Sequence, residues 1–197
     1  GGTNYVLGDE GKLEVQADGT TVVTTLNDSV GGVEKITVGP GFNVIAGGAK
    51  SDEITVNGTT PTAKAVVLGD DGTLTLSAAG VLLSVASKDN VHQYGAADTI
   101  TLTAGTNAVI GGAGGDTITA TTGQNTILGD DGKAEFFATG LVKSIESTNS
   151  GLGGKDQITL SDGMNTVIAG ADDDTISIGG GTNYVLGDEG KLEVQAD

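Results

Sequence analysis

Through most of this chain an aliphatic residue returns every nine positions, two places after an acid or an asparagine. Asp98-Thr-Ile-Thr recurs as Asp116-Thr-Ile-Thr, Asp156-Gln-Ile-Thr as Asp174-Thr-Ile-Ser, and Glu34-Lys-Ile-Thr as Asp52-Glu-Ile-Thr, each 18 residues on. Halfway between stand Asn43, Asn107 and Asn165, followed two residues later by Ile45, Val109 and Val167. Nine residues are too few for a helix-turn-helix unit and too regular for loops. The pattern predicts three-residue strands, the middle side chain turned inward by strand alternation, joined by six-residue turns. Two such units close one coil of about 18 residues, and coils stack by parallel pairing into a solenoid.

A longer period contains the short one. Leu-Gly-Asp-(Asp/Glu)-Gly occurs at Leu7–Gly11, Leu68–Gly72, Leu128–Gly132 and Leu186–Gly190, at intervals of 61, 60 and 58 residues. Gly1–Asp18 returns letter for letter as Gly180–Asp197, 179 positions on. The expected organisation is one tandem repeat, residues 1–179, built of three units (1–61, 62–121 and 122–179), with 180–197 as the first coil of the next. A glycine-poor stretch follows each Gly-Asp-Asp-Gly. In Lys133–Ser147 a turn is expected at Thr139-Gly140 with strands on either side, which reads as an enlarged coil or a small hairpin excursion. About ten coils at about 4.8 Å would span 45–50 Å. The end coils should expose strand edges, and because one copies the other, successive segments should continue or stack end to end.

Composition narrows the chemistry. Glycine, 35 of 197 residues, supplies turns with positive φ, and the absence of a three-residue period excludes collagen. With no cysteine there are no disulfides, thiolate sites or cysteine nucleophiles. The single histidine, His92, is expected in a loop, so neither a zinc cluster nor a histidine-based triad can form within the chain, and no enzyme is expected. Three Phe, three Tyr and no Trp leave no aromatic platform. Twenty-six acids against nine bases give a net charge of −17, which disfavours nucleic acid and anionic membranes, and no apolar run is long enough to span a bilayer. An outward column of Thr37, Thr55, Thr101, Thr119, Thr159 and Ser177 raises ice binding, but its companion column (Lys35, Glu53, Thr99, Thr117, Gln157, Thr175) breaks the flat array.

Gly111-Gly112-Ala113-Gly114-Gly115-Asp116-Thr117-Ile118-Thr119 matches every position of the nonapeptide G-G-x-G-x-D-x-U-x. It resembles the calcium-binding repeat of the RTX (hemolysin-type) family, and the alternation of plain and enlarged coils is similar to repeats of giant secreted bacterial surface proteins. Other copies are degraded: Gly47–Ile54 lacks the fourth glycine, and Ala169–Ile176 lacks two but gains acids. The resemblance implies an all-β, right-handed parallel β-roll. It also implies Ca2+ between successive turns, held by sixth-position acids and turn carbonyls. By position these acids are Glu34/Asp52, Asp98/Asp116 and Asp156/Asp174, with Asp9, Asp70, Asp130 and Asp188 of the neighbouring coils extending each column. Aligned carboxylates less than about 5 Å apart repel unless a cation lies between them. The opposite edge carries Asn4, Asn43, Asn107, Asn125, Asn165 and Asn183, interrupted by Ala65, and is expected to be a largely metal-free hydrogen-bonding ladder in turns.

The implied function is a calcium-stabilised extender, stalk or filament segment of a large extracellular bacterial surface or matrix protein, exported by a type I-like route. Such a chain would fold on meeting calcium outside the cell. Its expected partners are calcium and neighbouring copies of the same repeat, with no nucleic acid and no membrane insertion. The alternatives are an adhesive or ice-binding module, and an RTX secretion and folding domain attached to an exported enzyme or toxin.

Overall fold

The computed structural model describes residues 2–26, 29–58, 60, 62–88, 95–149 and 153–194. His92 lies outside them. The chain is all-β, with no helix among the described residues.

Short β-branched stretches that follow an acid form an outer file of parallel strands. These are β4 (Lys35–Val38), β6 (Glu53–Val56), the first parts of β10 (Thr99–Ile110) and β11 (Thr117–Leu128), β14 (Gln157–Leu160) and β16 (Thr175–Ile178). A middle file stacks β1 (Thr3–Leu7), β5 (Phe42–Ala46), β7 (Lys64–Leu68), the later parts of β10 and β11, β15 (Gly163–Ile168) and β17 (Gly181–Leu186). Strands β10 and β11 run 12 residues through both files rather than the three expected. They bend where Gly105 (φ 114°) stacks on Gly123 (φ 145°). A side chain at Gly123 would strike the Gly105 carbonyl.

The 18-residue step appears where Ile36 faces Ile54, Ile100 faces Ile118 and Ile158 faces Ile176. Elsewhere the step is longer: Glu53 pairs with Thr99, Thr117 with Gln157 and Asn4 with Asn43. Each long step advances the stack by one strand, not by two coils. The middle file therefore holds seven rungs, fewer than the ten coils expected.

The surplus residues form hairpins. β2 (Gly11–Val15) with β3 (Thr21–Thr25), β8 (Gly72–Leu76) with β9 (Leu82–Ser87), and β12 (Gly132–Phe136) with β13 (Val142–Ser147) join β18 (Lys191–Glu193) in one seven-stranded antiparallel sheet. Hairpins also pair with each other, β3 with β8 and β9 with β12. Their tips share one turn, with glycine in the left-handed region at Gly19, Gly80 and Gly140. In each the N–H three residues before that glycine bonds the carbonyl just after it, as Phe137 does to Leu141 at 2.9 Å.

Three layers result, and the middle file is covered on both faces. Toward the outer file, Ile45, Val67, Val109, Ile127 and Val167 pack on Ile54, Ile100, Ile118 and Ile158. Toward the hairpins, Leu68, Ile110, Leu128 and Ile168 pack on Leu74, Val85, Ala134 and Ile145. Each fully buried Leu, Ile or Val among these contributes about 1.5–3 kcal/mol. This double burial corrects the expectation that the asparagines lie in turns. Asn43, Asn107, Asn125 and Asn165 sit inside middle-file strands and are at most 3% exposed.

Candidate cation-binding file

Every outer-file strand is entered through an acid. The N–H of Glu34 donates to Asp52 Oδ1, that of Asp52 to Asp98, that of Asp98 to Asp116, and that of Asp116 to Asp156, all at 2.7 Å. Asp156 donates to Asp174 Oδ1 at 2.9 Å. The three expected pairs are thus consecutive members of one row of six. Each of the five aspartates spends one oxygen on that bond, while Glu34, at the head of the row, only donates its N–H. The second oxygen, Glu34 Oε2 or the Oδ2 of Asp52, Asp98, Asp116, Asp156 and Asp174, is buried with no hydrogen-bond partner.

The acids of the Gly-Asp-(Asp/Glu)-Gly elements stand differently. Asp9 accepts the N–H groups of Gly32 (3.1 Å) and Ala49 (2.8 Å), tying together the turns that lead to Glu34 and Asp52. Asp70 holds Ala96 (3.3 Å) and Ala113 (2.7 Å) ahead of Asp98 and Asp116. Asp130 holds Gly154 (3.0 Å) and Ala171 (2.5 Å) ahead of Asp156 and Asp174. Each is a staple across two successive turns, with both oxygens engaged. Asp188 is exposed beyond the last rung. Asp173 turns outward to Lys155 at 2.7 Å.

Glycines that follow the middle-file strands complete the arrangement. A Cβ at Gly47 would fall on Asp52 Oδ2 and the Gly69 carbonyl; at Gly69, on Asp98 Oδ2 and the Gly111 carbonyl. One at Gly111 would meet Asp116 Oδ2 and the Gly129 carbonyl, and one at Gly129 would meet Asp156 Oδ2 and the Ala169 carbonyl. The unbonded carboxylate oxygen and a turn carbonyl therefore converge on the same small space, open only because glycine has no side chain. The sequence reading missed both this glycine column and the stapling role. Its signal was the recurrence of glycine after a middle-file aliphatic residue, at 8, 47, 69, 111 and 129.

Burial shapes the electrostatics. Desolvation pushes Asp52 and Asp130 up to about 7, Asp98 and Asp156 to about 8, and Asp70 to about 9. Asp116 is driven well above the usual carboxylate range and Asp174 is raised, burial again the first cause. Neighbouring acids add to this, Asp98 beside Asp70 for example, while backbone N–H groups oppose it. With two ionised neighbours a rung apart, about 4.8 Å, repulsion is about 3 kcal/mol at an effective dielectric of 20. The row is therefore stable only if something positive, a cation or protons, compensates its charge.

The donors are hard oxygens, the class calcium prefers, and buried oxygens with no partner are a fit for it. Among the described residues, however, no three His, Cys, Asp or Glu side chains gather into one metal-holding group. A cation would be held by the row's carboxylates in concert with turn carbonyls. The chain matches no family model, no curated protein and no solved structure.

Proposed function

We propose that this chain is a calcium-stiffened segment of a right-handed parallel β-roll of the RTX type, serving as an extender or filament segment of a large extracellular bacterial surface or matrix protein. One observation carries the reading: six stacked acids each present a buried oxygen that nothing in the protein satisfies. Calcium would supply the missing charge and link successive rungs. Extracellular calcium modules bind with dissociation constants of about 10⁻⁴–10⁻³ M, so such a segment stays loose in the cytosol and sets after type I-like export. Parallel stacking, in which each rung touches only its neighbours, suits a length-setting role and continuation into further copies. No catalytic role is proposed.

The test is a calcium titration of the full chain followed by far-UV circular dichroism, with Asp116→Asn and Asn107→Ala as variants. The β-signal should rise between about micromolar and about ten-millimolar calcium. Asp116→Asn keeps the shape and an oxygen to accept the Asp98 N–H but loses the charge, so it should raise the calcium midpoint. Asn107→Ala, away from the acid row, loses one buried hydrogen bond but no ligand charge, so it should raise the midpoint less than Asp116→Asn does. A β-rich spectrum unchanged by excess chelator in the native chain overturns the proposal.

A further inference from the structure

Between the middle file and the hairpin sheet lies a trench of about 510 Å³, within the size range of small-molecule sites. Its cause is a mismatch of side-chain length. Deep in the interface Leu68, Ile110, Leu128 and Ile168 meet the hairpins directly. One alternation nearer the strand starts, the same face carries Val66, Ala108, Thr126 and Thr166, stacked in register; these short side chains form the nearly covered floor, and the trench opens above them. Leu82, Phe136 and Val142 of the hairpins form the facing wall. Phe42 stands at one end and Tyr184 at the other, five rung steps away, or about 24 Å.

The shape and lining select the occupant. A volume drawn out over that length suits a slender extended ligand rather than a compact one. The trench lies between two sheet faces, so it offers side chains and no free strand edge. An extended peptide there would leave its N–H and C=O groups unpaired, whereas a hydrocarbon chain has none to satisfy. Two charged side chains line the trench, at opposite ends. Glu193, near Tyr184, is paired with Lys191 at 3.7 Å. Lys64, one rung from Phe42, is exposed and makes no ion pair among the described residues.

We propose that this trench binds a long-chain fatty acid, its carboxylate on the Lys64 ammonium and its tail laid over Phe136, Leu141 and Met164 toward Tyr184. The free ammonium fixes the head, since at the other end Lys191 is already taken by Glu193 and leaves no free cation. This goes beyond the cation reading and does not rest on it.

The experiment titrates a fluorescent polyene fatty acid into the full chain, shown β-rich by circular dichroism. Calcium is held constant and the lipid kept below its micelle and soap limits. Saturable binding of one molecule per chain is expected. Lys64→Gln should weaken it about three- to fivefold while leaving the matching polyene alcohol unaffected. Met164→Glu, at the exposed rim, should weaken both ligands. Absence of saturable binding, native affinity in both variants, or binding only to phosphatidylcholine vesicles overturns the proposal. Each of these results leaves the calcium-dependent spectrum as it was, so failure here is distinct from failure of the cation reading.

Discussion

At Asn107 the side-chain carbonyl is buried with no donor. The reason lies one rung away. Asn107 donates to Asn125 at 2.8 Å, Asn125 to Asn165 and Asn165 to Asn183, each amide passing its N–H along the stack. Asn4 donates to Asn43 at 2.7 Å, but the next rung is Ala65, which has nothing to give Asn107. Removing different members of the ladder should therefore have unequal effects. Asn125→Ala strands the Asn107 amide and the Asn165 carbonyl, about 1–3 kcal/mol each. Asn107→Ala strands only the Asn125 carbonyl and removes an oxygen that was already unpaired. Denaturant unfolding in saturating calcium should place Asn125→Ala at least about 1 kcal/mol below Asn107→Ala. Equal losses would mean that the direction of the amide chain does not set the cost. The asparagine beat was legible in the sequence. Its burial was not, because the layer that covers it is built from hairpin residues tens of positions away.

Among the elements, the turn between the middle file and the acid row is tightly constrained. Gly111→Ala would press a methyl group on the Gly129 carbonyl and on Asp116 Oδ2 at once, and backbone cannot yield as a side chain can. Gly39→Ala meets nothing within 4 Å. Thermal unfolding should show a loss of more than about 2 kcal/mol for the first and less than about 0.5 kcal/mol for the second. The calcium midpoint should rise only for Gly111→Ala. Comparable behaviour of the two would remove the case for a glycine-lined site. Here the sequence was a partial guide. The 18-residue spacing announced that acids would stack, and Thr139-Gly140 announced a hairpin tip. Nothing local could announce that Asp9, Asp70 and Asp130 reach back to two turns each, since those partners are 23 to 43 residues away. The same distance effect hid the hairpin sheet: a glycine-poor stretch shows its own turn but not the strand of another hairpin that will pair with it.

For the molecule as a whole, charge decides when the fold holds. The buried acids keep their protons in the folded chain up to about pH 7 to 9, whereas unfolded aspartates release theirs near 3.8. A raised folded value means stability that is complete below the unfolded value and lost as pH climbs through the folded one. In excess chelator the denaturant midpoint should therefore be highest near pH 4, where protons hold the row, and fall as pH rises until the fold is lost toward neutrality. Saturating calcium should flatten or reverse that slope above pH 7, because the ion competes with protons for the same oxygens. Surface acids such as Glu135 and Asp173, held low by Lys143 and Lys155, oppose the trend but are exposed and weakly coupled to folding. A chelated midpoint that rises with pH would show that the acid row is hydrated and not buried.

The hairpins bond to one another as well as to their own partners, and this has a mechanical consequence. Tension applied along the stacking direction is borne by three ladders side by side, two parallel and one antiparallel, joined through two aliphatic seams. Separating rungs in the middle of the stack means opening all three at that level. A flaw such as Ala65 in the asparagine row can then weaken one strand of the cable without parting it.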